Sequence, residues 1–362
     1  LKGSMMKTLL LTPPFTQLNT PYPATAFLVQ YLKSKGYEVN QADLGIQTLL
    51  SLFTRENLQK TFTITSQTNK QLSKSNQQIL ALKTHYSDCI EPVIRFLQCK
   101  ETGLAYQIIR RSFLPEGRRS NNLLDMDHFF GSVGLIDQAR YLSTLFLNDI
   151  SDFLSEAIGE DFGFSRYAER IALSATQFKV IEKKLQEEDN ILDNILGEEI
   201  YQAVKTFSPD IVAITVPFPG CLLGALKIAK WLRSNQPDVK IVLGGGYIST
   251  ELRELKDTKI FYYVDYICLD QGEVSLQQII EYLIGNISES QLKKTYYLKN
   301  GSLRFTEGDE VQDITFSEAG FPDYSDLQLE KYLSVIELPN AMHRLWNDGR
   351  WNKMLVATGC YW

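Results

Sequence analysis

Four short segments of the sequence combine glycine or proline with polar side chains, and each follows an apolar run typical of a buried strand. Glycine lets a ligand lie directly on the backbone because no Cβ stands in the way. In an open parallel sheet the carboxyl ends of the strands meet at one edge, where ligands bind. We therefore predict a cofactor-binding edge made of Thr12, Pro13, Pro14, Phe15, Thr16, Gln17, Thr215, Val216, Pro217, Phe218, Gly244, Gly245, Gly246, Tyr247, Gln271, Gly272 and Glu273.

The class of ligand is narrowed by two motifs that this edge lacks. A segment taken alone is better explained as a tight strand-to-helix turn, and it is the presence of four such segments at one edge that favours a shared ligand site. A dinucleotide site needs a G-x-G-x-x-G loop after the first strand, but the loop at 13–17 has two prolines and no glycine. The sequence also has no G-x-x-x-x-G-K-[ST] phosphate loop. A flavodoxin-like cofactor site stays open, and no catalytic residue is predicted.

The elements that must position this edge alternate between strand and helix. A fully buried parallel strand reads as a short apolar run, and an amphipathic helix as apolar residues at helical spacing. These patterns predict α/β architecture with a flavodoxin-like, five-stranded parallel sheet covered on both faces. The predicted strands are at 7–12, 37–43, 210–216, 240–243 and 264–269, and the predicted helices at 22–35, 198–207, 224–234, 250–255 and 274–284.

The alternation is interrupted by a long segment without strand patterns. We divide the chain into an α/β domain at 1–50 and 196–290, a helical insertion at 51–195, a hairpin and linker at 291–330, and the start of a barrel domain at 331–362. Helices are expected at 139–158 and 181–196, and Asn300-Gly301 is the favoured type I′ hairpin turn. Since the sequence stops just after a predicted strand at 351–358, we expect it to be the front part of a longer protein.

Composition restricts the partners. Lys plus Arg is 37 and Asp plus Glu is 43, and the net charge of −6 argues against a protein that mainly grips nucleic acid or an anionic membrane. No apolar run reaches the roughly 20 residues that span a bilayer, so we expect a cytoplasmic protein. The five cysteines have no close pair, which argues against a disulfide framework. We expect Cys89, Cys99, Cys221 and Cys268 to be small core residues. Neither a substrate nor an oligomeric state is indicated.

A family resemblance is carried by an ordered set of short pieces. The order and spacing of these pieces resemble the cobalamin-binding domain of radical S-adenosylmethionine enzymes, and the resemblance covers most of the chain outside 50–195. Two further pieces resemble that family's linker and the first barrel strand with its first cluster cysteine, Cys360. The pieces of the first set are Thr12-Pro13-Pro14-Phe15, Ser208-Pro209-Asp210-Ile211-Val212-Ala213-Ile214, Leu243-Gly244-Gly245-Gly246 and Gln271-Gly272-Glu273, and those of the second are Pro322-Asp323-Tyr324-Ser325 and Val356-Ala357-Thr358-Gly359-Cys360-Tyr361-Trp362.

The resemblance implies cofactors for which this chain contains only part of the binding residues. In the family, a C-x3-C-x2-C motif holds a four-iron four-sulfur cluster that binds S-adenosylmethionine. Only Cys360 of that motif is present, so we expect the full-length enzyme, not this chain alone, to perform methyl transfer or radical rearrangement. The metal ligand Cys360 would act only there.

Cobalamin itself is expected to bind without a histidine below the cobalt. The first loop lacks the D-x-H-x-x-G motif of cobalamin proteins with a ligating histidine, and His85, His128 and His343 lie far from it in sequence. The resemblance then implies base-off cobalamin, with its lower face against Pro14 or Phe15 and its nucleotide tail passing Gly244 to Gly246. Two alternatives stay open: a cofactor-free structural module or one that recognises a partner or substrate, and a flavin-binding flavodoxin-like protein.

Overall fold

The computed structural model describes residues 6–68, 70–122, 130, 134–159 and 178–336. The predicted barrel strand and Cys360 lie outside these residues, as do His128 and His343.

Among the described residues, one mixed sheet of seven strands is the framework, in the order β2-β1-β3-β4-β5-β6-β7. The first five strands of the chain run parallel, and β6 and β7 add to the β5 edge as an antiparallel hairpin. The strands are β1 (Lys7–Thr12), β2 (Glu38–Asp43), β3 (Ile211–Thr215), β4 (Lys240–Gly244), β5 (Tyr266–Cys268), β6 (Thr295–Lys299) and β7 (Ser302–Thr306).

The predicted hairpin forms, with positive φ at both Asn300 and Gly301 as a type I′ turn requires. The predicted sheet of five strands is corrected to seven, because the hairpin continues the sheet instead of standing apart from it. Ile267 of β5 pairs with Tyr296 of β6. This pairing satisfies backbone groups that an uncovered β5 edge would leave open to other chains.

The helices that the structure describes are α1 (Ala24–Ser34), α2 (Leu44–Leu52), α3 (Arg55–Gln67), α4 (Lys74–Ala81), α5 (Lys83–Leu97), α6 (Ala105–Ile109), α7 (Leu135–Ile158), α8 (Phe178–Gln186), α9 (Ile191–Phe207), α10 (Leu222–Asn235), α11 (Gly246–Glu251), α12 (Gly272–Leu283) and α13 (Phe316–Ala319). The single helix predicted at 181–196 is wrong, since α8 ends at Gln186 and α9 starts after Asn190. The Asn190 side chain accepts hydrogen bonds from the amides of Leu192 and Asp193 and so caps a new helix.

The two faces of the sheet are covered by different helices. On one face Leu9, Val212 and Leu243 pack in a large apolar core together with residues of α9 and α10. On the other face Leu10 and Val242 belong to a smaller core with α1 and α12. Successive strand residues point to opposite faces, so neighbours in one strand serve different cores. We call these the α9/α10 face and the α1/α12 face.

Helices α2 to α7 build a third apolar core. Its buried aromatic pairs include Phe62 with Phe153, whose ring centroids are 4.9 Å apart, and stacked Tyr86 with Phe146, at 5.3 Å. Ile195 of α9 belongs to this core, whereas Ile200 of the same helix belongs to the core of the α9/α10 face. Helix α9 therefore contributes to both cores, which join the helical region to the sheet.

A segment at 320–336, which we call the strap, connects the cover of the sheet to the helical core. The amide of Asp323 donates to the carbonyl of Ala26 in α1 at 3.0 Å, and Nζ of Lys33 lies 2.8 Å from the Asp323 carboxylate. Farther on, the hydroxyl of Tyr332 donates to Oδ2 of Asp43 at 2.7 Å, and Leu333 is fully buried in the helical core. The strap is therefore fixed at both of its ends.

Two smaller expectations are tested by the described residues. Cys89, Cys221 and Cys268 are buried as predicted, but Cys99 is exposed. Cys99 lies beyond the end of α5 at a φ of 62°, where the chain turns away from the helix. Within the ranges given above, no helix is long and apolar enough to cross a membrane.

Candidate functional site

A cavity of about 810 Å³ opens at the carboxyl ends of β1, β3, β4 and β5, between α1 and α12. Each of these strands contributes to its floor, with the side chains of Leu10, Ala213, Val242 and Cys268. Two of the four are small, and both belong to strands in which the adjacent residues are larger. The cavity exists because Ala213 and Cys268 fill less of the space between the sheet and the two helices than leucine or isoleucine would.

The walls of the cavity are mostly apolar. The first turns of α1 and α12 supply Phe27, Leu28 and Leu276, and Tyr22 lies at the start of the α1 side. The roof comes from the segment after the hairpin, through Ile314, Thr315 and Ala319. A cavity with apolar walls and a few polar groups is the usual form of a small-molecule site.

Glycines after β4 have two separate roles at the mouth. A Cβ on Gly245, whose φ is 111°, would lie 2.7 Å from the backbone nitrogen and oxygen of Val216. A glycine is required at this position because the loop after β3 lies so close. In that loop the amide of Val216 donates a hydrogen bond to the carbonyl of Gly244 at 2.6 Å. A Cβ on Gly244 would have no neighbour closer than 3.7 Å. Gly244 therefore leaves free space facing the cavity.

Polar groups are concentrated at the start of α12. Nε2 of Gln271 donates to the carbonyl of Ile314 at 3.4 Å, while Oε1 is buried without a hydrogen-bond partner. Burial raises the pKa of the Glu273 carboxyl, and the charge of Asp313 adds to the rise. The Glu273 side chain therefore holds its proton to a higher pH than an exposed glutamate. Both residues line the cavity.

An ion-paired carboxylate stands at the edge of the mouth. Burial acts to raise the pKa of Asp270, but hydrogen bonds from Lys294, at 2.6 Å, and from Arg253 outweigh it and lower the pKa. The amide of Asp270 also donates to Oγ of Ser249 at 2.8 Å. This network fixes the loop between β5 and α12.

Seven of the predicted site residues line the cavity: Thr215, Gly244, Gly245, Gly246, Gln271, Gly272 and Glu273. Of the others from the same loops, Val216 and Pro217 are buried, and Phe218 is exposed with its ring 5.7 Å from that of Tyr22. Tyr247 packs against the core of the α9/α10 face.

The loop after β1 turns the other way. The carbonyl oxygen of Pro14 is 2.5 Å from the position that a Cβ on Gly224 of α10 would take. Pro14 and Phe15 line a second cavity, of about 210 Å³, on the side of α9 and α10. Thr12, Pro13 and Thr16 are buried and Gln17 is exposed, and none of the four lines the large cavity. The structure therefore separates the first predicted segment from the other three.

Sequence reasoning missed the floor and the roof. Ala213 and Cys268 carry a signal in retrospect, because small residues interrupt otherwise bulky strands. Ile314 and Ala319 carry none, because their place follows from long-range packing of a loop-rich segment. No group of three side chains suited to holding a metal ion occurs in the described ranges. His85, the histidine within them, lies in α5, with Nε2 2.9 Å from the carbonyl of Phe113.

This geometry can be set beside known proteins. Residues 171–280 match the family of the B12 binding domain. The match includes β3, β4, β5 and most of α12, whereas β1 and α1, which complete the cavity, lie outside it.

Part of the chain is also similar to a curated protein. It is an uncharacterized methyltransferase of Pyrococcus horikoshii, 23% identical over 145 residues, which are 40% of this chain and 30% of the relative. The chain thus spans about a third of that relative's length. No solved structure matches.

Proposed function

We propose that the chain binds cobalamin, with the nucleotide tail in the cavity between α1 and α12 and the corrin ring over the mouth of that cavity. The observation that carries the proposal is an apolar cavity at the carboxyl ends of β1, β3, β4 and β5, within and beside the residues that match the B12 binding domain. A flat heterocycle buried in such a cavity gains the full benefit of apolar burial.

The residues present fit this group. Gly244 leaves the backbone open where the tail would pass, and Gln271 offers a buried acceptor that a bound ligand can satisfy. Because the proposal places the nucleotide tail in the cavity and not under the cobalt, the cobalamin in it is base-off. Because Pro14 and Phe15 line the second cavity, their place in the proposal is taken by Tyr22, which lines the large cavity, and by Phe218, whose ring is 5.7 Å from that of Tyr22. When bound, cobalamin supplies a cobalt centre that can carry a methyl group.

The wider enzyme belongs to the same proposal. The description of the Pyrococcus relative as a methyltransferase supports methyl transfer, and the family resemblance adds a radical S-adenosylmethionine barrel with Cys360 as its first cluster ligand. In this proposal the chain itself contributes cobalamin binding, and the four-iron four-sulfur cluster and S-adenosylmethionine act in the full-length protein. We propose the cytoplasm as the location of the protein. The proposed domains are the α/β domain at 1–50 and 196–290, the helical insertion at 51–195, the hairpin and linker at 291–330, and the start of a barrel domain at 331–362.

Reconstitution with hydroxocobalamin tests the proposal. We expect one cobalt per chain to remain after gel filtration, with an absorption spectrum of cobalamin whose benzimidazole has left the cobalt. Ala213→Phe fills the floor of the cavity and should weaken binding by about 100-fold or more, since a buried clash of this size costs about 1–3 kcal/mol on top of the lost contacts.

The matched control is Ala203→Phe on α9, which is half-buried and lies outside the cavity. It should bind cobalamin as the unchanged chain does. Free cobalamin after gel filtration would contradict the proposal and favour a structural or recognition module. A yellow chromophore that survives purification would favour a flavin protein instead.

A further inference from the structure

The cavity between α1 and α12 contains an acceptor that the protein leaves unsatisfied. Among the described side chains that line it, Gln271 alone has a buried oxygen or nitrogen atom without a partner, and that atom is Oε1. The amide cannot usefully turn around, because a flip would bring Oε1 against the carbonyl of Ile314, where Nε2 now donates. A flip therefore gives the acceptor no donor, and because Oε1 is also closed to water, nothing among the described residues completes its hydrogen bond.

Neighbouring polar side chains at the mouth are already engaged. Oγ of Ser249 donates to the carbonyl of Gly245 at 3.1 Å and accepts from the amide of Asp270 at 2.8 Å. Oγ1 of Thr250 donates to the carbonyl of Gly246 at 3.2 Å. These groups do not need a ligand to complete their hydrogen bonds, so they discriminate little between ligands.

A buried acceptor without a donor costs about 1–3 kcal/mol, and a ligand that donates to it recovers part of this cost. Lower bases of cobamides differ in this respect. A dimethylbenzimidazole carries two methyl groups and no N–H group once it is joined to ribose. A purine with an exocyclic amine carries two N–H donors on a ring of similar size and flatness.

We propose, building on the proposed cobalamin function, that this cavity prefers a cobamide whose lower base is a purine with an exocyclic amine, and that Oε1 of Gln271 accepts the hydrogen bond of that amine. The apolar floor of Leu10, Ala213 and Val242 then covers the face of the base, and the Gln271 amide reads its edge. Gln271 is in this view a specificity-determining residue.

Four corrinoids separate this inference from its alternatives: cobamides with adenine, with purine lacking the amine, and with dimethylbenzimidazole, together with cobinamide, which lacks the nucleotide. Their affinities are measured by absorbance titration. The adenine cobamide should bind about 5- to 10-fold more tightly than the purine cobamide, the effect of one buried hydrogen bond. Gln271→Leu should remove that preference. Gln278→Leu, on the helix that begins just after Gln271 but outside the cavity, should keep it.

Equal affinity for the adenine and purine cobamides would overturn the inference. So would an equal loss for all three nucleotide-bearing corrinoids in Gln271→Leu, because the amide would then bind the ribose that they share. Failure of every corrinoid to bind would overturn the proposed function together with the inference. If Gln271→Leu does not fold, as judged by circular dichroism, the comparison of adenine and purine cobamides on the unchanged chain decides the question.

Discussion

The two faces of the same sheet are packed in opposite ways. On the α9/α10 face, Leu9, Val212 and Ile214 interlock with helices in a dense core. On the α1/α12 face, Leu10 and Ala213, their neighbours in the chain, border a cavity of about 810 Å³. A strand thus supplies stability through every second residue and a binding space through the residues between.

This comparison shows that the size of the side chains at alternate strand positions decides whether a face of the sheet packs tightly or leaves a cavity. Protein interiors are packed about as densely as organic crystals, so a missing isopropyl group is felt as a void. One void in a core is a loss of stability, whereas several at the carboxyl ends of adjacent parallel strands form a site.

The largest effect should come from shortening a side chain of the dense face. Leu9→Ala should lower the free energy of unfolding by about 3–4 kcal/mol, because it removes contacts and leaves a cavity. Leu10→Ala should cost less, about 2–3 kcal/mol, because the space it leaves opens into the cavity between α1 and α12 that Leu10 lines, instead of forming a closed void. Urea denaturation of both variants measures the two values. Equal losses would mean that the cavity collapses in solution and that the two faces do not differ.

Added methyl groups test the same contrast with a smaller effect. Gly224→Ala places a Cβ 2.5 Å from the carbonyl oxygen of Pro14 and should cost about 1–3 kcal/mol of unfolding free energy. Gly244→Ala meets no atom closer than 3.7 Å and should change it by less than about 0.5 kcal/mol. Thermal unfolding of the pair measures this. A Gly244→Ala variant as unstable as Gly224→Ala would show that the mouth is closed.

The smallest effect that we expect is a dependence of the free energy of unfolding on pH, caused by Glu273 in the wall of the cavity. Burial and the charge of Asp313 raise the pKa of Glu273 above its ordinary value of 4.5. Between that value and the raised pKa the unfolded chain has lost the proton and the folded chain has kept it, so the free energy of unfolding falls as pH rises through this window. Glu273→Gln should flatten that slope. Urea unfolding at a series of pH values, with exposed Glu254→Gln as the control, checks it, and an unchanged slope in Glu273→Gln would contradict the assignment.

Much of the sheet could be predicted because its signals are local. The run at 7–12 is apolar and is stopped by Pro13 and Pro14, and β1 has these bounds. Strand β5 is shorter than the predicted 264–269, since only Tyr266–Cys268 pairs with β4 or β6. The break before α9 was missed because the apolar spacing continues across it, and only the Asn190 cap reveals it.

The site was predicted less completely because its shape depends on distant contacts. The loops after β4 and β5 could be predicted as parts of the site from their composition. The direction of the loop after β1 could not be predicted in this way. It depends on Gly45 and Gly224, which lie in later elements and leave room for the backbone of the loop. Composition also does not tell that the roof comes from the residues around Ile314.

The pairing of β1 with β3 has a consequence for how the chain folds. Leu9 lies beside Val212 in the sheet, so the central strand pair closes a loop that contains the whole helical region. Closing a flexible loop of about 200 residues instead of about 30 costs roughly 1.7 kcal/mol more in chain entropy. We expect helices α2 to α7 to acquire protection first and the β1–β3 pair late, an order that pulsed hydrogen exchange during refolding would reveal or refute.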